Sequence, residues 1–405
     1  MTEQRHAPLT GITVLEVGAF IAAPYAATQL ADLGADVIKV ENPQGGDPVR
    51  LIGPFLEGES SPFVRLNRHK RSVALDLKSP EGREAFLALA AQCDVVVENL
   101  RPGAMQRLGL GHEDLSRANP GIVYASASGW GQDGPLSALA GLDIMAQARS
   151  GLMSVTGEPD RDPAKVGVPV CDLVCALYVA LAVCAALRER ETSGRGQHID
   201  VSLLETGVSL AVWEAGTYFA TGEVKGRSGS AHQSTAPYQA LRCRDGHITV
   251  GAITPPTWEG FCSVLGLQDA VDDPRYSTAS SRHEHRAELV DRIERSTSGW
   301  NVHELVDRLN RAGVPCAPIS DYGQVFTDEH LAARDYFWDA PHERLEQVRQ
   351  LGTPMRLSAT PCRQDRAGPL LGADTRAVLA EYGVEQEQID ALAASASTAS
   401  DRRDL

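Results

Sequence analysis

The first part of the chain, to about residue 130, alternates between short apolar segments typical of strands and longer segments typical of helices. The strand-like segments lie at 12–18, 35–41, 72–77, 94–99 and 122–129. Helices are predicted over 22–33, and over 79–93, where Ser79 and Pro80 suit the first positions. Strands that alternate with helices pair in parallel. We therefore predict an α/β fold with helices on both faces of one sheet.

The turns of this region lack the two familiar phosphate-binding motifs. No GxGxxG follows the first strand, where the turn reads GAFIAAP (18–24), and no GxxxxGK[ST] occurs in the chain. A dinucleotide site and a P-loop are therefore unsupported. Parallel sheets bind ligands at the carboxyl ends of their strands, so we expect the site at that edge.

In the segment 166–190 a single carboxylate, Asp172, stands directly before fifteen apolar residues at 173–187. Pro169 suits a helix start, and the apolar run is shorter than the roughly 20 residues that a bilayer requires, so we predict a buried core helix. Asp172 would be ionised and held by the free backbone N–H groups of the first turn, as a nucleophile or general base. A simple N-terminal helix charge explains the position too, and this segment alone favours that explanation.

The second half of the chain no longer shows the regular alternation of strand-like and helix-like segments. A polar, glycine-rich segment at 221–237 precedes a hairpin predicted around Arg244-Asp245-Gly246. We predict a large domain over 1–200, a linker helix over 201–224, a smaller α+β domain over 225–325 and a C-terminal part over 326–390. The last stretch, SASTASDRRDL at 395–405, is low in apolar residues, and we predict a disordered tail over 391–405.

Composition excludes several classes of partner. A formal net charge of −15 argues against nucleic acid. The sequence shows neither a signal-peptide pattern nor a membrane span, so we expect a cytoplasmic protein without a membrane partner. The eight cysteines lack CxxC spacing and the eleven histidines lack metal-ligand spacing, so we expect buried thiols and no metal site.

A basic cluster, RLNRHKR at 65–71, places four cationic side chains within seven positions. Lys78, Arg101 and Arg107 follow near neighbouring strand ends. Together these residues would suit a phosphorylated ligand, since arginine offers paired donors and lysine a point charge. A solvated charged turn is the other interpretation, and the cluster alone favours it.

Several further motifs, taken together and in order, resemble the class III CoA-transferase family, which also contains the α-methylacyl-CoA racemases. The resemblance covers about residues 8–385. The matching motifs are GITVLE (11–16), LGADVIKVE (33–41) with Gly46-Asp47 after it, KRS (70–72), LDLK (75–78), VENLRPG (97–103), GWGQDGP (129–135) and GRGQ (194–197).

The resemblance implies an interlocked homodimer. Its large domain would be Rossmann-like and would include the returning C-terminal part. It also implies that CoA and acyl-CoA are substrates, with no permanently bound cofactor. By motif position, CoA would be bound by Leu75, Lys78, Asn99, Leu100 and Arg107, with Lys70 and Arg71 near its phosphates. Asn42 stands where the formyl-CoA:oxalate members have an arginine beside the adenine.

Asp172 occupies the position of the family's catalytic aspartate, so the resemblance implies a nucleophile that forms mixed-anhydride and aspartyl-CoA thioester intermediates. The racemases use a histidine and an acid where this chain has Leu142 and Thr254, and neither side chain is a general acid or base near pH 7. We therefore expect a transferase. An α-methylacyl-CoA racemase, a non-catalytic CoA-binding protein and an enzyme with Cys171 as nucleophile are the alternatives.

The substrate acids are predicted from the pocket positions that the resemblance indicates. The oxalate-specific members have a glutamine near Ile21, a tyrosine at Leu142 and a run of glycines in the small domain. This chain has none of these, so oxalate is not expected. A short dicarboxylic acid, with succinyl-CoA as donor, is our hypothesis, because Arg50, Arg65 or Arg68 would hold a remote carboxylate. No aromatic cluster marks a quaternary ammonium site such as carnitine requires.

Overall fold

The computed structural model describes residues 6–400, and their side chains through residue 393. The chain forms two compact units. The larger contains the residues up to Leu152, Val166–Ala215 and the chain from His330 onward; the smaller contains Met153–Lys165 and Gly216–Glu329. These bounds differ from the predicted ones mainly at 153–165, which belong to the smaller unit.

Six parallel strands form the main sheet, in the order β5-β2-β1-β6-β7-β8, so the predicted parallel α/β fold is confirmed. In chain order the strands are β1 Thr13–Val17, β2 Asp36–Glu41, β3 Phe55–Leu56, β4 Glu59–Ser60, β5 Lys70–Ala74, β6 Val95–Glu98, β7 Val123–Ser128, β8 His198–Ser202, β9 Tyr238–Arg242, β10 His247–Gly251, β11 Cys316–Pro318, β12 Phe337–His342 and β13 Glu346–Leu351.

Helices connect these strands. They are α1 Ala22–Asp32, α2 Ser61–Leu66, α3 Pro80–Ala90, α4 Ala104–Arg107, α5 His112–Ala118, α6 Asp143–Arg149, α7 Leu152–Val155, α8 Val170–Ser193, α9 Leu203–Ser209, α10 Val212–Thr221, α11 Pro255–Leu265, α12 Ala279–Glu284, α13 Arg286–Thr297, α14 Val302–Arg311, α15 Tyr322–Val325, α16 Glu329–Ala333, α17 Thr375–Glu381 and α18 Gln386–Ser400. The predicted linker helix over 201–224 is thus two helices, α9 and α10.

The main sheet has one apolar core on each face, because successive residues of a strand point to opposite sides. On one face Val14 and its counterparts pack against α1 and α8. On the other face Leu15 and its counterparts pack against α3, α17 and α18. Both α1 and α8 run from the carboxyl edge of the sheet to its amino edge, since α1 follows β1 and α8 leads into β8. The first turns of both helices therefore lie toward the carboxyl edge.

Helix α8 extends beyond its apolar run. The helix has 24 residues, whereas the apolar run on which the prediction rested has fifteen. By length and composition alone, a helix of this kind could cross a membrane. Cys175 and Val179 are fully buried, and the helix packs against α1, β7 and β8. We therefore interpret α8 as a core helix, as the sequence predicts.

A buried charge cluster lies beneath the carboxyl edge. Lys39 and Glu16 are both fully buried, with 2.5 Å between Nζ and Oε1. Lys39 also lies 3.0 Å from Asp47 Oδ2, and Lys70 lies 2.7 Å from Glu16 Oε2. The two lysines lower the pKa of Glu16 against the effect of burial. Opposite charges in contact make this burial tolerable, and they join β1, β2 and β5.

The C-terminal part returns to β5 through side-chain hydrogen bonds. Ser72 donates its backbone N–H to Asp374 Oδ2 at 2.8 Å, and the Gly372 N–H donates to Ser72 Oγ at 2.8 Å. Helix α18 spans Gln386–Ser400, where disorder was predicted from residue 391; the sequence there is rich in alanine, the strongest helix former. Residues 401–405 lie outside the described residues.

The smaller unit contains an antiparallel sheet in the order β11-β10-β9. β9 and β10 form the hairpin predicted around residues 244–246. The buried guanidinium of Arg282 donates to the carbonyls of Ala236, Tyr276 and Ile253 at 2.8–3.0 Å, which satisfies a charge inside this unit.

Replacing Lys39 by Met should lower the free energy of unfolding by about 3–5 kcal/mol, because it leaves buried carboxylates without their shared cation. Urea unfolding followed by circular dichroism would measure this change. Arg117→Met is the matched control: it breaks an exposed pair with Asp114, at 3.0 Å, and should cost less than about 1 kcal/mol. Equal, small losses in the two variants would contradict the role given to the cluster.

Candidate active site

A cavity of about 280 Å³ opens at the carboxyl edge of the main sheet. Three of the predicted CoA-binding residues, Leu75, Lys78 and Leu100, line it, together with Asn42. The other lining residues are Val17, Gly18, Ala19, Val40, Glu41, Gly46, Asp47, Pro48, Asp76, Leu77 and Leu108. The site therefore lies at the edge where a parallel sheet binds its ligands.

Asn99 positions the cavity wall rather than lining the cavity. Its Oδ1 accepts from the Ala19 N–H at 3.0 Å, and its Nδ2 donates to the Ala19 carbonyl at 2.8 Å. The neighbouring Glu98 carboxylate accepts from the Leu100 N–H at 2.7 Å. These bonds fix the loops after β1 and β6 against each other.

Lys70, Arg71 and Arg107 do not line the cavity. Lys70 is fully buried, and besides its contact with Glu16 it donates to Asn67 Oδ1 and the Pro24 carbonyl, each at 2.7 Å. Arg71 pairs with Asp36 and with Glu381. The structure thus uses Lys70 and Arg71 in internal ion pairs, whereas the sequence placed them near phosphates.

Asp172 lies in the first turn of α8, as predicted, but within the described part of the chain no backbone N–H donates to its carboxylate. Pro169 precedes the helix and contributes no side-chain cap. Asp143, the first residue of α6, fills that role: its Oδ1 accepts from the N–H groups of Cys171 at 2.9 Å and Asp172 at 3.3 Å. Burial, with the Asp143 charge as a second cause, raises the pKa of Asp172 to about 7. The expectation of a carboxylate stabilised by the helix N-terminus is therefore wrong.

Sequence reasoning missed Asp143. Its Oδ2 accepts from Gln147 Nε2 at 2.6 Å, and Gln147 Oε1 accepts from the Val166 N–H at 2.9 Å. The spacing of Asp143 and Gln147 by four residues was the available signal for a helical pair. Nothing in the sequence connects that pair to the start of α8.

The predicted pocket residues differ in what they can offer. Arg50 is bidentate with Glu41 and stacks on Phe63, so its charge is engaged within the fold. Arg68 likewise pairs with Asp32. Arg65 donates to the Ser61 carbonyl and hydroxyl, and among the described residues no carboxylate pairs with it.

Ile21 and Leu142 stand at the starts of two helices. Ile21 is partly buried at the N-cap of α1, and Leu142, at the N-cap of α6, is 62% exposed. Leu142 directly precedes Asp143, which contacts the first turn of α8. Both side chains are apolar and offer no proton-transfer group.

Comparison with known proteins gives one consistent family. The sequence model described as "CoA-transferase family III" matches residues 9–375. Succinate--glutarate CoA-transferase of Agrobacterium fabrum is 38% identical over 384 residues, covering 93% of this chain and 96% of that protein. Succinyl-CoA:glutarate CoA-transferase of Mus musculus is 37% identical over 375 residues, covering 92% and 86%. A solved CAIB/BAIF family protein from Brucella suis is 36% identical with a TM-score of 0.85, covering 93% of this chain and 100% of that one.

The raised pKa of Asp172 predicts a pH-dependent cost in stability. The folded protein holds this proton up to about pH 7, whereas the ordinary pKa is 3.8, so stability is lost as the pH rises through 7. Asp172→Asn has no such loss and should be more stable than the unchanged protein at pH 8, by about 2 kcal/mol after allowance for partial exposure. Thermal unfolding at pH 8 and pH 5 would show the difference.

The difference between Asp172→Asn and the unchanged protein should shrink at pH 5, where the folded carboxyl is largely protonated. Glu84→Gln, at an exposed carboxylate on α3, is the control and should show no such pH dependence. A difference of the same size at both pH values would contradict the raised pKa.

Proposed function

Because the chain belongs to CoA-transferase family III, as its motifs predict, it is a CoA-transferase, and we propose that it moves CoA from succinyl-CoA to a short dicarboxylic acid such as glutarate. The observation that carries this proposal is that Asp172, a carboxylate in the first turn of α8, lies toward the edge of the sheet where three of the residues predicted to bind CoA line a cavity. The names of the two relatives support succinate and glutarate as the acids exchanged.

The first half-reaction transfers CoA to the enzyme. An Asp172 oxygen attacks the thioester carbonyl carbon, the C–S bond breaks, and CoA leaves as a thiolate, which leaves a mixed anhydride of succinate and Asp172. The thiolate then attacks the aspartyl carbonyl of the anhydride. Succinate departs as a carboxylate, and CoA remains on Asp172 as a thioester.

The second half-reaction reverses these steps with the acceptor acid. The acceptor carboxylate attacks the aspartyl thioester, which releases thiolate and forms a second anhydride. Thiolate attack on the acceptor carbonyl gives the new acyl-CoA and restores the Asp172 carboxylate. No proton needs to be transferred in either half, so a carboxylate with a raised pKa serves as nucleophile once it is ionised.

Racemisation is less well supported than CoA transfer. It requires general acids and bases at the α-carbon, and Leu142 is apolar. Thr254 caps α11, where its hydroxyl lies 2.9 Å from that of Thr257. Enzymatic relatives also argue against a non-catalytic CoA-binding protein, and the buried Cys171 thiol, whose pKa burial raises to about 11, is a poor nucleophile.

The proposed enzyme acts as an interlocked homodimer in the cytoplasm. Leu177 and Leu181 on α8 and Val208 and Val212 after it are 46–75% exposed, an apolar surface that suits a second copy of the chain. All eight cysteines are free thiols, which fits a reducing compartment.

Incubation with succinyl-CoA and hydroxylamine should convert Asp172 to a hydroxamate, because an activated aspartyl carbonyl is the electrophile that hydroxylamine traps. Peptide mapping by mass spectrometry measures the modification. Asp172→Asn should lose transfer by about a thousandfold or more, while Glu84→Gln keeps it. Full activity of Asp172→Asn would remove Asp172 from the mechanism.

Acceptor selectivity tests the role of Arg65. Glutarate should be preferred to valerate by about tenfold or more, because a guanidinium binds the remote carboxylate. Arg65→Met should abolish that preference, whereas Arg117→Met, at an exposed arginine, should keep it. Steady-state kcat/KM for the two acids gives the result, and preference for the monocarboxylate in the unchanged enzyme would contradict a dicarboxylate acceptor.

A further inference from the structure

Phe20 is an aromatic residue in a backbone conformation that phenylalanine rarely adopts. Its φ is +61°, in the left-handed region, and its side chain is 50% exposed. Such strain persists where the surrounding structure imposes it, and it concentrates at functional sites. An exposed, strained aromatic in the turn after β1 therefore requires an explanation.

The conformation of Phe20 is imposed from two sides. The Phe20 N–H donates to Asp47 Oδ1 at 3.2 Å, and the same oxygen accepts from the Val49 N–H at 3.0 Å. Asp47 is itself buried beside Lys39. On the other side, the preceding residue, Ala19, is held by both of its bonds to Asn99.

The chain places Phe20 between two cavity-lining residues and helix α1. Gly18 and Ala19, directly before it, line the cavity, and α1, shortly after it, packs against α8. Both helices begin toward the carboxyl edge, and Asp172 lies in the first turn of α8. Phe20 is thus next in the chain to two cavity-lining residues and just ahead of the helix that packs against α8.

We propose that Phe20 is a specificity-determining residue whose ring packs against the acyl methylenes beside the thioester and limits the length of the acyl chain. This inference rests on the proposed CoA transfer. An apolar ring suits the methylenes of a short dicarboxylyl group, and the held backbone fixes the point from which the ring projects. Because Phe20 is 50% exposed, it is accessible to a substrate.

The test compares succinyl-CoA, glutaryl-CoA and adipyl-CoA as donors to one acceptor in the full-length enzyme. Phe20→Ala should raise kcat/KM for adipyl-CoA relative to succinyl-CoA by about tenfold. Phe20→Gly should give the same shift, because it also removes the ring, although glycine relieves the backbone strain. Leu87→Ala, at an exposed apolar residue on α3, is the control and should keep the original ratio.

The outcomes separate this inference from the proposed function. If the unchanged enzyme transfers CoA and Phe20→Ala keeps its chain-length ratio, the assignment of Phe20 is wrong and the proposed function stands. A shift in Phe20→Gly alone would attribute selectivity to the backbone and would also overturn the assignment. Absence of transfer from all three donors in the unchanged enzyme would overturn the proposed function and the inference with it.

Discussion

The buried pair of Lys39 and Glu16 is the interaction on which the site depends. Isolated charges in the interior are very costly, so each must face a partner, and Lys70 and Asp47 complete the balance. Lys39 also donates to the Gly18 carbonyl at 3.0 Å, which ties the loop after β1 to the cluster. The cavity wall at Gly18 is therefore bonded to a buried lysine whose position is fixed by its acidic partners.

The start of α8 shows how the fold sets the chemistry of one carboxylate. Helix N-termini stabilise negative charge, and an aspartate in the first turn is ordinarily more acidic for that reason. Here burial of the carboxyl is the main cause, and Asp143, which occupies the N–H groups, adds its own charge, so the pKa of Asp172 is raised to about 7. A more basic carboxylate is the stronger nucleophile. Ionising the buried Asp172 carboxyl lowers the stability of the folded protein.

The cationic cluster at 65–71 shows where local sequence reasoning fails. Its residues resemble a phosphate site, yet Arg68 pairs with Asp32, Lys70 with Glu16 and Arg71 with Asp36. Each partner is 35 or more residues away in the chain, and parallel pairing of β2 with β5 brings Asp36 close to Arg71. Of the three arginines in this cluster, only Arg65 has no carboxylate partner among the described residues.

The sequence by itself determined the parallel sheet, the core helix that follows Asp172 and the family, because hydrophobic periodicity and ordered motifs are local properties of the chain. Only the tertiary structure decided which charges bind one another, that Asp143 caps α8, and that Phe20 is held in a left-handed conformation. These features depend on contacts between distant segments, such as Asp143 with Cys171 or Asp47 with Phe20. Ion pairs and helix caps form only between groups a few ångströms apart. The number of residues between two groups in the chain does not tell whether they come that close.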